Sequence, residues 1–158
     1  MELKGKRVAV LVDQQYQEME VWYPLYRLIE AGAEVQLIAA EKGKTYPSKL
    51  GYPAVSDLSY DEVSASDFDG IVCPGGFAPD FIRRHPKANQ FVADFDKQGK
   101  LVAAICHGLW CCCSAKILSG RKCTSFFAIK DDVEHAGAIW SDAEVVVDRN
   151  LVSARRPS

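Results

Sequence analysis

The chain has 158 residues, 48% of them hydrophobic, and its 19 basic and 21 acidic residues give a formal net charge of -2. That is enough apolar material for one domain with a sizeable core, and the lack of a basic block or an aromatic-basic stripe argues against nucleic acid as a partner. The six cysteines show no paired CxxC spacing, no secretory leader is present, and no apolar run approaches the roughly 20 residues that cross a bilayer, so free thiols in a reducing cytoplasm and no membrane partner are expected.

Lys6 to Asp13 is a β-branched run that predicts a strand over 6–13. Behind it Val21, Trp22, Leu25, Leu28 and Ile29 recur at helical spacing up to Gly32, predicting a helix over 19–31 with Glu20 near its start. A strand over 34–40 follows, then an irregular section through Gly51 and short extended segments near 52–58. A buried strand over 69–73 runs into Pro74-Gly75-Gly76, a turn whose amides are free to face a ligand. Next come a short helix near 79–84 and a helix over 86–98 with Val92 and Phe95 on its apolar face. The strand over 101–105 stops at Cys106-His107-Gly108, and a helix is predicted over 108–118. The remainder reads as a short strand at 123–126, a helical turn over 129–136 and a hairpin over 144–153. Strands alternating with helices predict an α/β class, doubly wound with a mostly parallel central sheet, and one domain over 1–158. The chain stops straight after a strand, where such a fold usually adds a covering helix, so that helix reads as missing from the sequence.

The chemistry centres on Cys106. A sharp strand-to-helix turn exposes its central side chain at the sheet edge, and the helix N-terminus behind it offers unpaired N–H groups, so the thiol is expected to be more acidic than usual. Gly108 suits such a turn because it has no Cβ to meet the neighbouring strand. A small buried cysteine ending a core strand is the alternative. Glu20, Gly75-Gly76 and Cys106-His107 each follow a strand; in an open parallel sheet, sites form outside the strands' carboxyl ends, so the three can meet on one edge. Taken singly, Glu20 also fits a solvated first-turn carboxylate, and Gly75-Gly76 a plain turn. Cys73 and the run Cys111-Cys112-Cys113 read as core packing, with a metal or disulfide cluster the minor alternative. No metal site is expected. His85 and His135 sit at helix ends and read as structural.

These residues carry a resemblance that is nearly full length. Glu18-Met19-Glu20 with Trp22-Tyr23-Pro24, Pro74-Gly75-Gly76-Phe77-Ala78-Pro79-Asp80, Ala104-Ile105-Cys106-His107-Gly108, Gly120-Arg121-Lys122, Ile129-Lys130-Asp131-Asp132 and Arg155-Arg156-Pro157 together resemble the PfpI branch of the ThiJ/PfpI superfamily. The resemblance implies a flavodoxin-like sandwich, a Cys106 nucleophile, a Glu20 carboxyl hydrogen-bonded to it, and His107 as general acid/base. It also implies an oxyanion site at the Gly75-Gly76 turn, formed by the amides of Gly76 and His107. Members are described as cysteine peptidases, as cofactor-free glyoxalases, and as deglycases or stress proteins. In peptidase-type relatives an acid from a neighbouring subunit orients the histidine, and the matching residue is Asp80, one methylene shorter than their glutamate. Those relatives also have a tyrosine where this chain has Phe126. The expectation is therefore a cofactor-free, Cys106-dependent enzyme acting on dicarbonyls or glycated adducts, working as a homodimer or higher oligomer. A cysteine peptidase is the alternative enzyme, and a redox-sensing stress protein or chaperone using Cys106 oxidation is the alternative of another class. An amidotransferase is disfavoured, since no separate downstream His and Glu pair completes an in-chain triad.

Overall fold

Val8, Ala9, Val10 and Leu11 are all buried, as expected for a strand covered on both faces. They form β1 (Arg7–Leu11), which leads through α1 (Glu18–Glu30) into β2 (Glu34–Ala39). The computed structural model, which describes residues 1–158, continues with β3 (Thr45–Pro47), β4 (Pro53–Val55), β5 (Leu58–Ser59) and β6 (Gly70–Cys73). Then follow α2 (Ala78–Ile82), α3 (Pro86–Lys97), β7 (Leu101–Ile105), α4 (Leu109–Ser114), β8 (Lys122–Cys123), α5 (Lys130–His135), β9 (Ile139–Trp140), β10 (Val145–Asp148) and β11 (Leu151–Ala154).

One seven-stranded sheet runs in the order β10-β11-β7-β6-β1-β2-β5. Every pairing in it is parallel except β10 with β11. From β1 the chain moves outward to β2, then returns to place β6 on the other side of β1. Right-handed crossovers in opposite directions put helices on both faces, and the reversal between β1 and β6 opens a crevice beyond their C-terminal ends. The core is filled by strand residues such as Ile38, Ile71 and Val102 and by the aromatic wedge Phe68, Phe91 and Phe95. On the α1 side of the sheet an apolar groove of about 480 Å³ remains, lined by residues including Leu28, Val72, Ala103 and Val152.

Three stretches differ from the sequence reading, one of them the strand expected over 123–126, which is only the two-residue β8 at Lys122–Cys123 ahead of a 3-10 turn over Phe127–Ile129. The section before Gly51 is not wholly irregular, because β3 pairs with β4 as a small antiparallel ribbon. The helix expected over 108–118 is shorter: a 3-10 turn spans Cys106–Gly108, and α4 ends at Ser114. Its stop is a C-cap in which Lys116 takes φ +58°, while the Lys116 and Ile117 amides donate to the Cys113 and Cys112 carbonyls. Ile117 and Leu118, which continue the apolar helical spacing, are buried beyond that cap.

The elbow depends on close backbone approach at Gly108. A Cβ there would lie 2.0 Å from the Cys73 carbonyl oxygen at the end of β6. Gly108→Ala is expected to lower stability by about 1–3 kcal/mol through overpacking against rigid backbone, which a urea titration of the two proteins measures. An unchanged midpoint would mean that β6 and the elbow are not in contact.

Candidate active site

β7 delivers Cys106 to the sheet edge in an unusual backbone state, with φ +60° in a residue that carries a Cβ. Non-glycine residues are held there only when their surroundings over-determine the conformation. The surroundings are glycines. A Cβ on Gly75 would sit 2.9 Å from the Cys106 Cβ and 2.5 Å from Glu20 Oε2, and Gly76, at φ +72°, would drive one to 2.6 Å from the Gln15 carbonyl. Three loops therefore meet at van der Waals contact: the one entering α1, the Pro-Gly-Gly turn after β6, and the elbow after β7.

Glu20 reaches this junction from the first turn of α1. Gln17 caps that helix, its side chain accepting from the Met19 and Glu20 amides. The carboxylate is only 1% exposed, so the solvated reading is excluded. Oε2 accepts from the Gly75 amide at 2.5 Å, and the carboxyl also shares a hydrogen bond with the Cys106 thiol. Oε1, equally buried, has no hydrogen-bond partner. Burial pushes Glu20 up to about 7, against the pull of the Gly75 amide, the thiol and the Lys49 charge. Gly75 thus serves Glu20, and it is the amides of Gly76 and His107 that donate toward the Cys106 sulfur. The two glycines of the turn do different work.

The expected acidity of Cys106 is corrected. Its pKa is pushed up to about 12, first by burial and then by the Glu20 carboxylate, and the His107 and Gly76 amides only partly offset this. The helix dipole expected to lower it is weak here, because α4 has six residues and starts beyond a 3-10 turn. Thiol and carboxyl titrate as a pair, and between about pH 7 and pH 12 they hold one proton between them. When that proton is on Glu20, the sulfur is a thiolate facing an acid O–H and two amides.

His107 Nδ1 lies 3.3 Å from Cys106 Sγ. Its ring is stacked on Phe126 at 5.0 Å and meets Trp110 edge-on at 5.1 Å. Burial, with the Lys49 charge adding to it, lowers its pKa and favours the neutral imidazole. No carboxylate of this chain bonds to it. Asp80, in α2, is paired with Arg84 instead. Cys73 is buried beside Cys111 and Cys112, and Cys113 is half-buried with its thiol near the Asp132 carbonyl. All six cysteines are free thiols. His85 caps α3 and His135 ends α5, both away from the cleft. Two neighbours escaped the sequence reading: Trp110, three residues past His107 and so on the same side of the elbow, and Lys49, which sits in a stretch with no periodicity to place it.

A flavodoxin-like α/β sandwich with a cysteine on a strained strand-to-helix elbow, faced by a carboxyl and two amides, is a defined class of protein. Within that class the chain belongs to the DJ-1/PfpI family, whose model matches residues 6–158. It is 45% identical to "Deglycase TK1284" of Thermococcus kodakarensis over 151 residues, 96% of this chain and 90% of that one. It is 43% identical to "General stress protein 18" of Bacillus subtilis over 155 residues, 97% of this chain and 90% of that one. Among solved structures, a two-domain protein of Anabaena variabilis with DJ-1/ThiJ/PfpI-like and ferritin-like domains superposes with a TM-score of 0.94 at 40% identity. The match covers 96% of this chain but 44% of that longer one. Drosophila melanogaster DJ-1beta superposes with a TM-score of 0.89 at 26% identity, over 96% and 82% of the two chains.

The raised Glu20 pKa has a signed consequence for stability. A carboxyl whose folded value is about 7 against 4.5 contributes stability that is full below pH 4.5 and is lost as pH rises to 7. On the pKa scale that loss is ~3 kcal/mol. Glu20→Gln removes the titration, so urea unfolding at pH 4.5 and pH 8 should show the parent losing ground to the variant at the higher pH. A constant difference between them would place Glu20 in contact with water.

Proposed function

We propose that this protein is a Cys106-dependent enzyme acting on reactive dicarbonyls or their early adducts, of glyoxalase or deglycase type. What supports the reading best is the contrast within the site: the thiol is fully equipped, with Glu20 and two amides aimed at it, whereas His107 has no acid of its own chain to orient it. Peptide cleavage must protonate an amine leaving group and leans on an oriented histidine. A dicarbonyl is already electrophilic and needs a thiolate, an oxyanion site and one proton shuttle. The names of the relatives agree with this, including "Protein/nucleic acid deglycase 2" of Escherichia coli at 41% identity.

The geometry supports the following reaction. With the shared proton on Glu20, the Cys106 thiolate adds to the aldehyde carbon of methylglyoxal, and the former carbonyl oxygen becomes an oxyanion held by the Gly76 and His107 amides. Glu20 protonates that oxygen and becomes the carboxylate. Glu20 or His107 then removes the proton from the same carbon and returns it to the neighbouring carbon through an enediol, leaving a lactoyl thioester on Cys106. Water hydrolyses the thioester, releasing lactate and restoring the thiol. Side chains, amides and water suffice for every step. The setting is cytoplasmic, since six free cysteines fit a reducing compartment. The active form is a homodimer or higher oligomer, in which Asp80 turns from Arg84 toward the histidine of a second copy.

Product formation tests the reading, with lactate followed directly because dicarbonyl loss alone can reflect trapping by other thiols. Cys106→Ser should abolish lactate, and Glu20→Ala and His107→Ala should each lower kcat by about 10²–10⁴-fold, the usual worth of a positioned acid or base. Peptidase activity should be weak or absent. Lactate made by Cys106→Ser at the parent rate would remove the nucleophile assignment, and a fully active monomer in light scattering would remove the intersubunit role of Asp80.

A further inference from the structure

The loop between β3 and β4 brings a cation to the cleft, and it is held there by named bonds. Glu18, two residues before Glu20 on α1, accepts from the Ser48 hydroxyl and from the Leu50 amide at 2.9 Å. Between those two anchors the Lys49 amide donates to the Tyr16 carbonyl at 2.9 Å. Tyr16 bridges in turn to both Ser48 and Gly76. The Lys49 backbone is thus one residue's width from the turn that carries the oxyanion amide.

Its side chain leans the same way. Lys49 Nζ lies 5.4 Å from the ring centroid of Phe77, the residue after Gly76. It forms no ion pair; Glu18, on which its charge also acts, is hydrogen-bonded by Ser48 and Leu50, and Asp80 is paired with Arg84. Its charge is felt at both Glu20 and His107, although burial is the larger influence on each. An exposed ammonium over the Phe77 ring, close enough for its charge to act on Glu20 and His107, offers an incoming anion a favourable partner on the approach to the Cys106 thiol.

We propose that Lys49 is a specificity residue that draws an anionic group into the Cys106 cleft, so that the preferred substrates are 2-oxoaldehydes bearing a carboxylate. The carboxylate meets the Lys49 ammonium while the aldehyde carbon faces Cys106 Sγ and its oxygen the Gly76 and His107 amides. The substrate class rests on the dicarbonyl reading above, but the anion preference can be tested without it.

Two pairs of reagents test it, each an anion and a neutral counterpart. The first is iodoacetate against iodoacetamide, with alkylation of Cys106 followed by peptide mapping in the parent, Lys49→Gln and Lys49→Arg proteins. The ratio of the two rate constants should fall about three- to tenfold in Lys49→Gln, as removal of one partly screened charge predicts, and should recover in Lys49→Arg. The second is 4,5-dioxopentanoate against methylglyoxal, scored as the ratio of kcat/KM for hydroxy-acid formation, which should fall and recover in parallel. An alkylation ratio unchanged by Lys49→Gln overturns the anion preference. If the parent turns over neither dicarbonyl, the dicarbonyl reading and the substrate class fail together, and the alkylation ratio still decides what Lys49 does.

Discussion

The cleft depends on one buried carboxyl. Glu20 is removed from water on the α1 side of a junction where the β6 turn and the β7 elbow also meet, and its ligands are the Gly75 amide and the Cys106 thiol. Burying an ionisable group with so few partners is costly, and the cost appears as a pKa raised to about 7. In the proposed reaction that destabilisation has a chemical use, because an acid near neutrality can give its proton to a developing oxyanion and take one back from carbon within a single cycle. Neither pKa belongs to one residue alone: a proton moved from sulfur to Glu20 exchanges a carboxylate facing a thiol for an acid facing a thiolate.

Close packing of backbone enforces the pairing. Three glycines hold three loops at distances that a methyl group would break: Gly75 against Glu20 and Cys106, Gly76 against Gln15 and Gln17, and Gly108 against Cys73. Cys106 itself pays in backbone strain at φ +60°. The sheet makes that sustainable, since β6, β7 and β1 are adjacent parallel strands whose ends cannot drift apart without loss of ladder hydrogen bonds. Site geometry and core stability are therefore properties of the same residues.

His107 is placed by apolar packing. Trp110 and Phe126 fix its ring while burial favours its neutral form, so it can accept a proton but has no carboxylate to stabilise the imidazolium that results. On the proposed reading, the ring faces around His107 and the nearby Lys49 charge favour small, already electrophilic substrates over a peptide chain.

The strands were legible along the chain because strands of a parallel sheet leave apolar runs, such as Val8 to Val12, buried throughout, and Leu101 to Ile105, in which Val102 and Ala104 are buried and the residues alternating with them face the groove. Glu20, Gly75-Gly76 and Cys106-His107 could be placed on one edge because each directly follows such a run, and the topology puts sites at strand C-termini. Helix length past the elbow was misread, since Ile117 and Leu118 keep helical spacing after a left-handed Lys116 has ended α4. The sequence by itself determined the fold class and the residues that meet, because hydrophobic periodicity and turn chemistry are local properties of the chain. The tertiary structure alone decided that Cys106 is made less acidic, that Gly75 serves the carboxyl, and that Lys49 lies against Phe77, next to the Gly75-Gly76 turn. Burial and charge separation depend on residues distant in sequence, and no local pattern encodes those distances.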